Sequence, residues 1–329
     1  MNNITSNNRI DYIDYTKVLC ITLMVLGHCT WNRTIYQYIY SFHMPAFFII
    51  SGILYKARNW HYTLISFLIP VIGVSLVNWL CYYFAGELNM EGATWQQLLA
   101  GIIHFRFDSR FYFFAGDWFV WSLLLIRFLF GDIKYLSFMR DKRVYIPVAV
   151  IVVIYMLLEP SLIRPDADFL QYTFERAMPC LPFFCMGLYL RDIQWNPKDC
   201  PTPMIVLCLI TAIVLPILTG TCDIFYNQYG RSYLLFLINA PLTTILFMYL
   251  FSFLSPSPYI KTLSNGTLII MGTNQMILAI LYILLTSSYR LLFPFIIMAV
   301  SYIPIVYLDK HFPILLGKWR RPRKSYLQQ

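Results

Sequence analysis

Apolar runs follow one another along almost the whole chain, separated by short polar connections. A helix that spans a bilayer needs roughly 20 mostly apolar residues. On that measure the pattern predicts about ten membrane-spanning helices, over residues 12–30, 35–55, 62–84, 117–131, 144–159, 173–190, 203–219, 232–254, 266–287 and 290–308. The longest polar connection covers residues 85–116, and within it 95–104 reads as an interfacial amphipathic helix. No internal repeat stands out, and no segment has the composition of a separate soluble domain. The expectation is an all-α, polytopic membrane helix bundle: a single integral-membrane domain over 1–329, closed by a basic tail at 318–329. Prolines interrupt several runs (Pro45, Pro179, Pro182, Pro216, Pro241, Pro294, Pro304). Each frees a carbonyl and bends its helix, which lipid tolerates where neighbours or a wet cavity satisfy the backbone. Such bends suit a bundle that encloses a cavity, although prolines are common in membrane helices generally.

Composition supports the same class. Of 329 residues 59% are hydrophobic and 12% charged, against about 25% charged in a soluble domain. The net charge of +9 does not gather into a groove-sized patch, so nucleic acid is not an expected partner; membrane lipids are. The cations divide by connection. With ten spans and both termini inside, the inside connections hold Arg9, Lys17, Lys56, Arg58, Lys134, Arg140, Lys142, Arg143, Arg191, Lys198, Lys261, Lys310 and the basic group of the tail. The outside connections hold Arg33, Arg106, Arg110, Arg164, Arg176, Arg231 and Arg290. That asymmetry follows the positive-inside rule and predicts a multi-pass protein of the cell (inner) membrane with both termini cytoplasmic. The N-terminus lacks a signal-peptide pattern. Most of the 8 cysteines lie inside apolar runs and no Cys/His metal spacing occurs, so neither a metal nor a disulfide framework is expected.

Titratable groups inside lipid are costly and mark function by default. His28, in Val25-Leu26-Gly27-His28-Cys29, lies near the outer end of the first span, and His43 lies at similar depth in the second. A short turn joins the two antiparallel helices, so the imidazoles are expected to approach each other. Lys17 precedes His28 by eleven residues, about three turns and about 16 Å along one helix face. Asp14 is too far along a straight helix to orient His28. One face therefore presents a cation near the cytoplasmic surface and an imidazole deeper in, which suits a donor with phosphates at one end and a thioester at the other. Gly27 would let a ligand approach the backbone. The plainer reading is a structural histidine and an interfacial lysine that snorkels. Arg127 and Arg176 either bind an acceptor or pair with carboxylates.

Two stretches carry a resemblance. Ile13-Asp14-Tyr15-Thr16-Lys17 with Val25-Leu26-Gly27-His28 resembles the first motif of acyltransferase family 3, and residues 39–52, Ile-Tyr-Ser-Phe-His-Met-Pro-Ala-Phe-Phe-Ile-Ile-Ser-Gly, resemble its second. The match is similar to the branch of fucose 4-O-acetylase-like proteins. Asp117-Trp118-Phe119-Val120 and the segment from Arg176 to Leu190 resemble later family segments. The resemblance implies a membrane O-acetyltransferase that moves an acetyl group from acetyl-CoA to a hydroxyl of a surface glycan or lipid-linked sugar precursor. His28 corresponds to the family's essential histidine and would be the general base. Lys17, with Lys56 and Arg58, would hold the donor's phosphates; His43, Ser51, Trp118, Arg127, Arg176 and Asn274 would shape the site. For Ser51 a helix-packing role beside Gly52 is favoured over a covalent one. Two positions depart from the family: Lys17 stands where many members have arginine, and Asn274 where relatives often have histidine, so no second base is expected there. A glycan transporter or flippase is the rival reading, and a relative that binds without turnover a third. The sequence does not fix the acceptor or the oligomeric state.

Overall fold

The structure, a computed structural model, describes residues 10–85, 116–158, 169–285 and 287–318. The interfacial helix expected at 95–104 and most of the basic tail lie outside the described residues. The elements in chain order are α1 (Asp11–Cys29), α2 (Arg33–Tyr40), α3 (His43–Ile53), α4 (Trp60–Ala85), α5 (Asp117–Arg127), α6 (Lys142–Leu158), α7 (Phe169–Ala177), α8 (Leu181–Asp192), α9 (Thr202–Thr219), α10 (Tyr233–Phe251), α11 (Pro258–Asn265), α12 (Thr267–Leu284) and α13 (Phe293–His311). A two-stranded antiparallel ladder, β1 (Cys222–Asp223) and β2 (Gln228–Tyr229), joins α9 to α10.

The apolar runs are helical, but among the described residues five segments are by themselves long and apolar enough to cross a membrane: Trp60–Cys81, Thr202–Thr219, Tyr233–Phe251, Thr267–Leu284 and Ser288–His311. The others differ for identifiable reasons. α1 carries Asp11, Asp14, Lys17 and His28. α5 ends in a π-type turn at Phe128–Asp132, where Gly131 takes φ +99°. The runs at 35–55 and 173–190 are each split in two. At the first break Pro45 has no N–H to return to Ser41, and the freed Ser41 carbonyl accepts instead from Asn239 Nδ2 at 3.4 Å. At the second, Met178–Cys180 tightens into a 3₁₀ turn around Pro179. The sequence expectation of about ten membrane-spanning helices is therefore met only in part, by a membrane helix bundle in which two of the runs are split into paired short helices.

α1 lies at the centre, packed against α2, α3, α10, α11, α12 and α13. The closest approach is between α3 and α8. A Cβ added at Gly187 would lie 2.0 Å from the Ile49 carbonyl oxygen, and one at Gly52 would lie 2.2 Å from that of Phe184. Only glycine admits that backbone contact, the device by which membrane helices associate without a hydrophobic drive between them. Leu207, Ile210, Val214 and Ile217 on α9, Ile151 and Ile154 on α6, and Ile303 on α13 are all large apolar side chains left exposed. Water would penalise so many exposed apolar side chains on helix faces; lipid does not.

Contacts between non-adjacent segments define two ends. At one, Lys17 meets Ser264, Tyr15 meets Ser255, Tyr55 and Thr63 meet Asp132, and Tyr145 meets Asp192. At the other, Arg290 lies over the Trp31 ring and Tyr36 meets Asp223. Lys56, Arg58, Arg140, Arg191 and Lys318 belong to the first end; Arg176, Arg231 and Arg290 belong to the second.

Candidate active site

The break before α3 creates the local geometry around the two histidines. Because the helix is interrupted at Ser41–Phe42, the Ile39 carbonyl is open to a side chain, and His43 Nδ1 lies 2.8 Å from it. A carbonyl only accepts, so the proton sits on Nδ1 and the lone pair on Nε2. His43 is 2% exposed. The Tyr40 ring meets it edge-on at 4.9 Å and stacks on Tyr36 at 3.7 Å. Tyr40 also covers Gly27, where an added Cβ would lie 2.7 Å from its ring. The space beside Gly27, expected to admit a ligand, is thus filled by an aromatic neighbour.

His28 lies in the last turn of α1, flanked by the buried Gly27 and Cys29, yet is itself accessible. Among the described residues it makes no hydrogen bond. The Tyr40 ring links the two positions, meeting His43 edge-on and covering Gly27, the residue next to His28. One ring is thus locked and enclosed, while the other is accessible and without a hydrogen-bond partner among the described residues. The aromatic stack continues outward. The Tyr36 hydroxyl donates to Asp223 Oδ2 at 2.7 Å on the hairpin. Burial pushes the Asp223 carboxyl above its ordinary value, opposed by the Tyr36 hydroxyl and the Phe225 N–H, which favour its charged form.

Lys17 occupies the opposite end of α1. Its ammonium donates to the Ser264 carbonyl at 2.7 Å, and the Ser264 hydroxyl donates to Asp14 Oδ1 at 2.6 Å. Tyr282, farther along α12, lies near Cys29. α12 therefore runs beside α1 in the same direction, which places Asn274 between the levels of Lys17 and His28. Asn274 Nδ2 donates to the Met271 carbonyl, its Oδ1 is buried without a partner, and Asn78 Nδ2 donates to the neighbouring Gly272 carbonyl at 2.8 Å.

The remaining candidates do not join His28. Lys56 and Arg58 are exposed on a network centred on Asp132, whose side chain is 0% exposed. Asp132 accepts from the Tyr55 hydroxyl at 3.1 Å, the Arg58 backbone N–H at 3.0 Å, the Thr63 hydroxyl at 2.6 Å and Arg127 Nε at 3.1 Å. Arg127 is thus paired with a carboxylate, and its guanidinium lies 4.9 Å over the Tyr55 ring. Arg176 is buried nearer the His28 end, 3.7 Å over the Tyr172 ring and 5.1 Å from that of Phe225, with its Nε unpartnered. Trp118 begins α5 beside Phe119, whose ring meets Phe47 and Phe48. Ser51 sits next to the Gly52 contact with α8. Sequence reasoning missed Asp132, Ser264, Tyr36 and Asp223. The Gly131-Asp132 pair closing an apolar run is the one local signal that could have singled out the first.

The family model described as an acyltransferase domain matches residues 10–308. The Nodulation protein NolL of Sinorhizobium fredii (strain NBRC 101917 / NGR234) is 26% identical over 213 residues, which cover 57% of this chain and 51% of that protein. The match thus spans about half the length of that curated relative. No solved structure matches the chain.

Proposed function

This chain belongs to the acyltransferase family whose domain model spans it from residue 10 to residue 308, and on that premise we propose that it transfers an acetyl group from acetyl-CoA to a hydroxyl of a surface glycan or lipid-linked sugar precursor. The observation that carries this reading is the pairing, at one end of the central helix, of an accessible imidazole with a buried one whose tautomer is held by a backbone carbonyl. His28 acts as general base. It takes the proton from the acceptor hydroxyl as the oxygen attacks the thioester carbonyl. When the C–S bond breaks, the imidazolium returns that proton to the departing sulfur, so the products are the ester and the free thiol. His43, neutral and enclosed, positions the pair. Lys17 has one ammonium proton directed at Ser264 and, as a compact point charge, anchors a donor phosphate about 16 Å from His28 along the helix.

The cation-rich end, with Lys56 and Arg58, faces the cytoplasm, where acetyl-CoA is made, and both termini lie on that side. The His28 end faces the acceptor. Asn274, lying between the two levels, borders the donor's path and offers a hydrogen-bond acceptor to it.

The experiment is single-turnover transfer from labelled acetyl-CoA to a panel of glycans by the purified full chain, in wild type and His28→Ala, with size-exclusion profiles as the folding control. The expected result is a loss of about 10²–10⁴-fold in rate without change in the profile. A well-folded variant that turns over near the wild-type rate would remove His28 from the chemistry.

A further inference from the structure

The hairpin at the His28 end borders a space to which the acyl-transfer scheme gives no task. Among the described residues, a cavity of about 500 Å³ is lined by Met156 and Leu157 at the end of α6 and by residues of the hairpin from Thr221 to Tyr233. Small-molecule sites range over about 300–1,000 Å³.

Its hairpin wall is built rigidly. Gly230 takes φ +66°, and a Cβ there would lie 2.0 Å from the Thr219 carbonyl oxygen. The Arg231 N–H donates to that same oxygen at 2.7 Å, fixing the strand to the end of α9. Asn227 holds a left-handed backbone, φ +51°.

Two polar groups on this wall lack an answer. Asn227 is 5% exposed; its Oδ1 accepts from the Tyr229 hydroxyl at 2.9 Å, but its Nδ2 has no partner. Arg231 is exposed, and its guanidinium makes no hydrogen bond or ion pair with a described residue. Among the described lining residues, Gln228 and Ser232 add neutral donors and acceptors, and none is a carboxylate. Left unfilled, a buried amide donor is unfavourable; with a guanidinium beside it, the complement is a ligand rich in acceptor oxygens, one of them anionic.

We infer that this cavity binds a sugar carrying an anionic group, phosphate or carboxylate, and thereby selects the acceptor. Asn227 and Gln228 address hydroxyls, and Arg231 addresses the charge. The inference rests on the proposed transfer to a glycan for its biological meaning, but the binding it describes needs neither donor nor turnover.

The test uses the full chain in phosphatidylcholine nanodiscs, titrated calorimetrically with glucose 1-phosphate, glucose and inorganic phosphate. The account expects glucose 1-phosphate to bind at least tenfold more tightly than either of the others. Arg231→Gln should erase that preference. Asn227→Asp keeps the Tyr229 bond and tolerates the left-handed backbone, yet replaces the unpartnered donor with a carboxylate oxygen; it should abolish glucose 1-phosphate binding. His28→Ala should bind as wild type does, which separates this site from the transfer chemistry. Equal affinity in wild type, Arg231→Gln and Asn227→Asp, or no binding of glucose 1-phosphate at all, would overturn the inference. So would loss of wild-type binding when phosphatidylglycerol replaces part of the lipid, because a lipid headgroup would then be the occupant.

Discussion

The two ends of the bundle treat their polar groups in opposite ways. At the cation-rich end, Asp132 is closed off from solvent and accepts from Tyr55, Arg58, Thr63 and Arg127. At the His28 end, an imidazole is accessible, Asn227 and Arg176 keep unpartnered nitrogens, and aromatic rings rather than ion pairs separate the groups. A satisfied network holds a shape; groups left open are available to a ligand. Under the proposed transfer, the first end supplies architecture and the second the chemistry, and substitutions can separate the two.

The largest effect on stability is expected from Asp132→Ala. It leaves the Arg127 guanidinium, which is 13% exposed, without its carboxylate and strands the Arg58 N–H and the Thr63 hydroxyl, while the Tyr55 hydroxyl keeps the Phe130 carbonyl. Breaking a buried pair by removing one partner costs about 3–5 kcal/mol. Thermal unfolding in detergent should show this loss, while the transfer rate per folded molecule stays within a few-fold of wild type; a stability loss below about 1 kcal/mol would mean the network is dispensable. Next comes Lys17. Lys17→Ala should weaken CoA binding by about tenfold, the equivalent of roughly one charge-assisted hydrogen bond, and Lys17→Arg should weaken it less because charge matters more than the guanidinium fork here. Calorimetric titration with CoA reads both, and unchanged affinity in Lys17→Ala would place the donor elsewhere. The smallest effect belongs to Tyr36→Phe. It deletes the hydroxyl that donates to Asp223 and keeps the stack on Tyr40, so unfolding should shift by about 1 kcal/mol. A loss several times larger would show that the hairpin depends on that single bond.

Helix content was legible because bilayer-length apolar runs have few alternatives: backbone groups in lipid must be satisfied within the segment. The breaks were only half legible. Pro45 announces a bend, but that Asn239 would take the freed Ser41 carbonyl depends on a residue 198 positions away. His28 and His43 stood out as costly groups in apolar runs. Asp132 did not, because its four partners come from three separate segments and no spacing connects them. Tyr40 over Gly27 was likewise invisible: a glycine in the sequence announces room, and only packing shows what occupies it.

The most direct test places His28→Ala and Asp132→Ala side by side, reading single-turnover acetyl transfer and thermal unfolding on the same preparations. The account predicts that the two readouts separate. His28→Ala should lose transfer by at least about 10²-fold and keep its unfolding temperature, whereas Asp132→Ala should unfold earlier and keep its rate per folded molecule. Variants that lose both properties together, or a His28→Ala protein with near-normal turnover, would contradict the division between an end that holds the shape and an end that performs the chemistry.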